Sequence, residues 1–137
     1  MAFVTCDDTV GTGVESLDRE HRQLAALINA IHAGLFTDAS DERLEQAFVV
    51  LADFASLHFR HEEELFRQTR YPAAADHMRH HAELKAQLSI LEAALLDRKG
   101  PLIELAEKLG FLSEWLMEHV EKDDKAFGDY AKQAGIR

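Results

Sequence analysis

The sequence predicts an all-α protein, an up-down-up-down antiparallel four-helix bundle with a short N-terminal arm. Three observations predict it. Glycine and proline number only seven and two in 137 residues and gather at joints, while Ala, Leu, Glu and Arg fill what lies between. Four amphipathic stretches follow one another, bounded by TDAS at 37–40, TRYP at 69–72 and RKGP at 98–101. These joints are short, and short joints force successive helices to run antiparallel. Pro72 and Pro101 suit the first turns of the helices they open, and Gly100 suits the end of the helix before it.

Each stretch has one inward seam. The first reads Leu17, His21, Leu24, Ile28, Ile31 and Leu35, at alternating spacings of four and three. The second reads Leu44, Phe48, Leu51, Ala55, His58, Glu62 and Leu65, and the third His77, His81, Leu84, Leu88, Leu91 and Leu95. The fourth reads Leu102, Leu105, Leu109, Leu112, Leu116 and His119, then Asp123 or Asp124. All four core faces therefore carry histidine or carboxylate. These groups fall near the start of the first and third helices and near the end of the second and fourth. In an antiparallel bundle that is one level.

Burying such groups without partners costs several kcal/mol for each charge, against a net stability of roughly 5 to 15 kcal/mol for a domain. A divalent or trivalent metal compensates them, because inward neutral imidazoles and anionic carboxylates are its ligands. The pairs His58/Glu62 and His77/His81 are each four apart, so both side chains of a pair lie on one helix face. One such pair occurs often by chance on exposed helices. Two pairs joined by His21 and His119 on other seams are specific. A structural zinc site takes four ligands, fewer than are gathered here.

The formal charge of -10 opposes contact with nucleic acid or anionic membranes. No apolar run approaches the roughly 20 residues that span a bilayer. Cys6 has no second cysteine to pair with, and MAFVTCDD has neither the basic nor the apolar region of a secretion signal. A cytoplasmic monomer, one domain over 1–137, is expected.

The stretches GVESLDREHRQL at 13–24, HFRHEEELF at 58–66, YPAAADHMRHH at 71–81 and WLMEHVEKDDK at 115–125 resemble the hemerythrins, in particular the single-domain bacteriohemerythrins, over essentially the whole chain. The resemblance implies two iron ions with an oxo or hydroxo bridge. It implies that His77, His81 and His119 hold one iron, that His21 and His58 hold the other, and that Glu62 and Asp124 bridge both. With that division the two-histidine iron is one ligand short, and molecular oxygen is expected there. Helical spacing alone chooses Asp123, four residues after His119. The family pattern has five and selects Asp124, which a widened turn would re-aim, leaving Asp123 solvated. Cys6 stands where the family commonly has tryptophan, and is read as a small buried hydrophobe.

The function expected is reversible oxygen binding for storage, transport or delivery to an oxygen-consuming enzyme, by a binding protein rather than an enzyme. The alternatives are a sensor acting through a separate partner and a di-iron catalyst consuming peroxide or nitric oxide. Keeping a bound oxygen species from water requires an apolar pocket. Leu24, Phe59, Trp115 and Leu116 stand beside ligand positions, Leu116 foremost. His32, His61 and His80 are expected at the surface, and Glu63, Glu64 and DASDE on solvated faces. Tyr71 is expected to shape the joint, and GDYAKQAGIR to be a short tail.

Overall fold

Each helix carries one apolar stripe, and a bundle forms because each stripe needs a facing stripe to leave water. A computed structural model of the chain describes residues 11–37, 41–96 and 102–137. The elements are α1 (Glu15–Leu35), α2 (Asp41–Thr69), α3 (Ala74–Leu96), α4 (Leu102–His119), a π-helical turn (Val120–Asp124) and α5 (Lys125–Gln133). α1 packs against α2 and α4, and α3 against the same two, which is the square array of an up-down-up-down bundle. Among the described residues there is no strand, and no helix is long and apolar enough to cross a membrane. Cys6, Gly100, Pro101 and most of the joint at 37–40 lie outside them.

The seams of α1 and α3 are buried throughout, as expected. On α2 the seam passes from Glu62 to Phe66, and Leu65, expected there, is half-buried. On α4 Leu105 and Leu109 are buried, but Leu112 and Leu116 are only half-buried. Between them Ser113 donates its hydroxyl to the Leu109 carbonyl at 2.7 Å, a back-bond of the kind that bends helices.

The joint at 69–72 is tighter than proline alone predicts. Arg70 sits in the left-handed region at φ 55, Tyr71 N–H donates to the Phe66 carbonyl at 3.0 Å, and the Tyr71 ring packs on Phe66. This is a Schellman end with its customary apolar contact. Helix α3 then opens at Ala74, so Pro72 precedes its first turn rather than occupying it.

Beyond the polar level a second apolar layer closes the bundle. Val14, Leu17, Phe66, Phe127 and Ala131 are buried together there, with Tyr71 and Tyr130 against them. The expected tail is therefore mostly helix α5, pinned where the Tyr130 hydroxyl donates to the Thr69 carbonyl at 2.5 Å. The segment before α1 is held by Asp18, whose Oδ1 accepts from the Thr12 N–H at 2.7 Å and from the Thr12 hydroxyl at 2.8 Å. The polar level lies between two dry layers.

Candidate metal centre

His21, His58, Glu62, His77, His81, His119 and Asp124 all lie within that level and are all buried. Their ligand atoms form two overlapping groups. His21, His58, Glu62 and Asp124 make one, and Glu62, His77, His81, His119 and Asp124 the other, the atoms of each group within 4.8 Å of one another. Glu62 and Asp124 are common to both. Asp124 Oδ2 lies 2.9 Å from His21 Nε2 and its Oδ1 lies 2.7 Å from His77 Nε2, so its two oxygens face opposite sides. Glu62 does the same, with Oε1 2.7 Å from His58 Nε2 and Oε2 3.2 Å from His81 Nε2.

The π-helical turn explains how Asp124 arrives there. At about 100° per residue, five α-helical residues carry a side chain roughly 140° from its starting face. Closing the turn over i→i+5 brings the fifth residue back toward that face. The turn starts directly after His119 and ends on Asp124, which is buried. Asp123, the choice of simple periodicity, is left at the rim. It is not merely solvated, because its Oδ2 lies 2.9 Å from His119 Nδ1 and 2.7 Å from His80 Nδ1.

The outer ring nitrogens test whether these residues suit a cation. His58 Nδ1 lies 2.7 Å from Glu20, His81 Nδ1 2.8 Å from Glu63, and His119 Nδ1 2.9 Å from Asp123. An ionised carboxylate only accepts, so each Nδ1 carries a proton, and Nε2 is the atom that can turn a lone pair inward toward a metal that displaces its proton. Those lone pairs meet carboxylate oxygens and one another, His77 Nε2 lying 3.1 Å from His119 Nε2. While the facing Nε2 atoms carry no proton, Glu62 Oε2, His81 Nε2 and both Asp124 oxygens are buried with no donor to satisfy them. Acceptors converging on acceptors need positive charge between them, which protons or metal cations would supply. The donor set fits iron, which takes imidazole and carboxylate together.

The same crowding appears in the protonation of the residues by themselves. Burial opposes charge on His21, but hydrogen bonds to Asp124 and Glu62 raise it to about 9. Burial likewise opposes charge on His58, and the Glu62 charge with hydrogen bonds to Glu20 and Glu62 lifts it to about 10. His77 rises to about 9 against its burial through Asp124 and Glu62. Burial would raise Glu62, yet the His58 charge and bonds from His21, His58 and His77 hold it well below the usual range. Asp124 is held low too, against burial and the Glu62 charge, by bonds from His119, His21 and His77. Protons and metal compete for this one pocket of negative potential.

A family model described as the hemerythrin HHE cation binding domain matches residues 12–131. The chain belongs to the hemerythrin family. It is 28% identical over 133 residues to a bacteriohemerythrin of Stenotrophomonas maltophilia, covering 96% of this chain and 84% of that one. It is 27% identical over 138 residues to a bacteriohemerythrin of Pseudomonas paraeruginosa, covering 98% and 85%. A crystal structure of wild-type hemerythrin superposes with a TM-score of 0.78 at 24% identity, over 87% of this chain and 89% of that one. A single-residue variant of hemerythrin gives 0.85 at 23% identity, over 95% and 98%. These last two likenesses concern the fold.

Within this member of the family the carboxylates behind the histidines are what sequence reasoning missed. Glu63, expected on a solvated face, accepts from His81. His61 and His80, expected at the surface, are partly exposed there, and each also bonds through Nδ1, to Glu20 at 2.9 Å and to Asp123 at 2.7 Å. Every one of these residues is the chain neighbour of a seam residue: Glu20 of His21, His61 and Glu63 of Glu62, His80 of His81, Asp123 of Asp124. A neighbour is turned about 100° from the seam, which aims it at the adjacent helix. That adjacency was the available signal. Tyr71 packs its ring on Phe66 and Phe127 and shapes the joint.

Under the polar level lies a cavity of about 30 Å³ with an entirely apolar lining. Leu24, Ala55, Leu84 and Leu116 line it, each one turn inward along its helix from His21, His58, His81 and His119. Phe59 also lines it and stacks on His81 at 4.1 Å between ring centroids. Trp115, expected beside the ligands, instead lines a groove on the outside of α3 and α4.

Proposed function

We propose that the chain binds two iron ions in an oxo- or hydroxo-bridged pair and reversibly binds molecular oxygen there, for storage, transport or delivery. On this reading His77, His81 and His119 hold one iron, His21 and His58 the other, and Glu62 and Asp124 bridge them. The observation that carries it is the pair of ligand groups sharing two carboxylates whose oxygens face opposite sides. Bound there, the iron pair would supply reversible two-electron chemistry to dioxygen.

The chain's own residues supply the rest. Glu20, Glu63 and Asp123 hold the Nδ1 protons of three histidines outward, which fixes ring orientation and raises ligand basicity. Leu24, Phe59 and Leu116 keep the space beneath the site dry, which protects a bound oxygen species from protons and water. The relatives named bacteriohemerythrin favour the same reading. Delivery to a separate oxygen-consuming enzyme in the cytoplasm, by a monomer, completes the proposal.

The test is to load the protein with iron and cycle it between oxygen-free buffer and air while recording the visible spectrum. A reversible colour without a haem signature, at two irons per chain, is expected. Irreversible oxidation on the first exposure would exclude a carrier, and one iron per chain would exclude the pair.

A further inference from the structure

We propose that two rim pairs, Glu20 with His61 and Asp123 with His80, are capture sites that take a hydrated divalent cation from solvent and pass it to the buried level. The proposal rests on the reading of that level as a two-metal centre. A hydrated ion has no route to it along the bundle axis. Leu24, Phe59 and Leu84 close the level on one side and Leu17, Phe66 and Phe127 on the other, and no side chain among them replaces lost water. Entry is therefore sideways, between helices, in the plane of the level. Two gaps carry donors for it. Between α1 and α2, His61 Nδ1 lies 2.9 Å from Glu20 Oε2, and Glu20 Oε1 lies 2.7 Å from His58 Nδ1. Between α3 and the π-helical turn, Asp123 Oδ2 lies 2.7 Å from His80 Nδ1 and 2.9 Å from His119 Nδ1. The outer histidine side chains are 34% and 37% exposed, and the inner ones 1% and 2%. Each row of donors thus runs from water to one buried ligand. His58 belongs to one of the two ligand groups and His119 to the other, so each metal position has its own row.

The spacings suit a cation. Adjacent ligands of an octahedral ion with bonds of about 2.1 Å stand about 3 Å apart, close to the separations at both rims. His80, Asp123 and His119 each bring a donor atom within 4.8 Å of the others, a third group beside the two of the centre. A neutral imidazole carries its proton on either nitrogen, so the outer rings can hold it on Nε2 and give Nδ1 to the ion. One imidazole and one carboxylate leave the ion most of its water. Such a site is weak, and a weak site passes on what it takes. The formal charge of -10 raises the concentration of cations at these rims. Partly exposed side chains reorient within nanoseconds, and a swing of the inner ring then admits the ion to the level.

A capture site has a signature that a prop behind a ligand lacks. It lies on the path, so its loss slows entry and release by one factor and leaves Kd alone. A prop holds the ligand in place, so its loss speeds release and weakens Kd. The variants are His61→Asn, His80→Asn and the two combined, because an asparagine amide still donates to the carboxylate but is a poor ligand. Entry of Co(II) into the metal-free full chain is followed by visible absorption in stopped flow without oxygen, and release by transfer to a chelator. The double variant is expected to slow both about tenfold, each single variant less, with two ions per chain bound at equilibrium. His32→Asn, at the far end of α1, should leave both rates at the parent's values. Trace Mn(II) supplies a second measurement, read as NMR broadening of the His61 and His80 ring protons in the parent filled beforehand with zinc. Both rings should broaden and His32 should not. Entry at the parent's rate in the double variant overturns the capture sites while leaving the centre intact, and so does faster release with unchanged entry. A parent whose level takes up no metal, but whose two rim rings broaden with Mn(II), overturns the centre and leaves the rim pairs as cation sites.

Discussion

The Nδ1 of His58 lies 2.7 Å from Oε1 of Glu20 while its Nε2, across the ring, lies 2.7 Å from Oε1 of Glu62. One carboxylate therefore fixes a proton on Nδ1, and the opposite nitrogen is the one proposed to take a metal. Glu20→Ala removes this acceptor from His58 and from His61 together. Iron affinity at the His21/His58 position should fall by roughly 10- to 100-fold. Glu20→Gln keeps an acceptor without the charge and should lose less. The rate of iron release to a chelator measures it, and release from the Ala variant at the parent's rate would remove the role given to Glu20.

Asp123 and Asp124 are expected to separate a rim acceptor from a proposed bridge. Asp124→Ala deletes oxygens that face His21 on one side and His77 on the other, so both irons should be lost. Asp123→Ala deletes only the acceptor behind His119 and His80 and should still fill with two irons, at an affinity lower by about tenfold or more. Metal analysis after desalting distinguishes them. Full iron content in the Asp124 variant would sink its assignment as a bridge.

That pair also marks how far the sequence could be read. The seams of α1 and α3 needed only a period of three and four, because every one of their buried positions obeys it. The polar level was legible for the same reason: histidines interrupting an apolar stripe have no other place to point. Asp124 was not legible from period alone, since a π-helical turn changes the period and nothing in EKDD announces it. The resemblance to known sequences supplied it. Glu20, Glu63 and Asp123 escaped because hydrophobic patterning cannot tell an acid that faces water from one that faces a histidine on the next helix. Phe127 and Ala131 escaped because the last apolar positions follow the π-turn, out of phase with the α4 seam.

Protonation of the cluster sets a pH dependence for the metal-free protein. His21, His58 and His77 have folded values of about 9, 10 and 9 against an ordinary 6.5. A raised value favours folding below the unfolded value, so their contribution is complete below pH 6.5 and is lost as pH climbs through 9 to 10. Glu62 and Asp124 are lowered from ordinary values of 4.5 and 3.8, so their contribution is present above those values and lost as pH falls. Metal-free protein should therefore be most stable between about pH 4.5 and 6.5 and weaken toward 9. Iron takes the place of those protons, so the loaded protein should hold its stability through the alkaline range and release metal in acid. Denaturant midpoints across pH, with and without iron, test both limbs. A metal-free midpoint that rises from pH 7 to 9 would contradict the assignment.

Gly128 joins α5 to the segment that covers the metal end. A methyl group placed on it would lie 2.2 Å from the Thr12 carbonyl oxygen and 2.8 Å from Thr12 Cβ. Both are parts of a chain that Asp18 holds in place, so neither can swing aside as a long side chain would. Gly128→Ala should destabilise the protein by about 1–3 kcal/mol, the usual cost of overpacking. It should also push residues 12–14 off the end layer, which removes amide-exchange protection from Thr12 and Val14 and hastens iron release. Gly135→Ala provides the comparison. Gly135 has φ +87 with nothing within 4 Å of an added methyl, so its substitution carries backbone strain of about 1 kcal/mol and no clash. Exchange at Thr12 should be unchanged in that variant. If the two substitutions lower the unfolding midpoint equally and neither exposes Thr12, the close approach of Gly128 to Thr12 is not what seals the metal end.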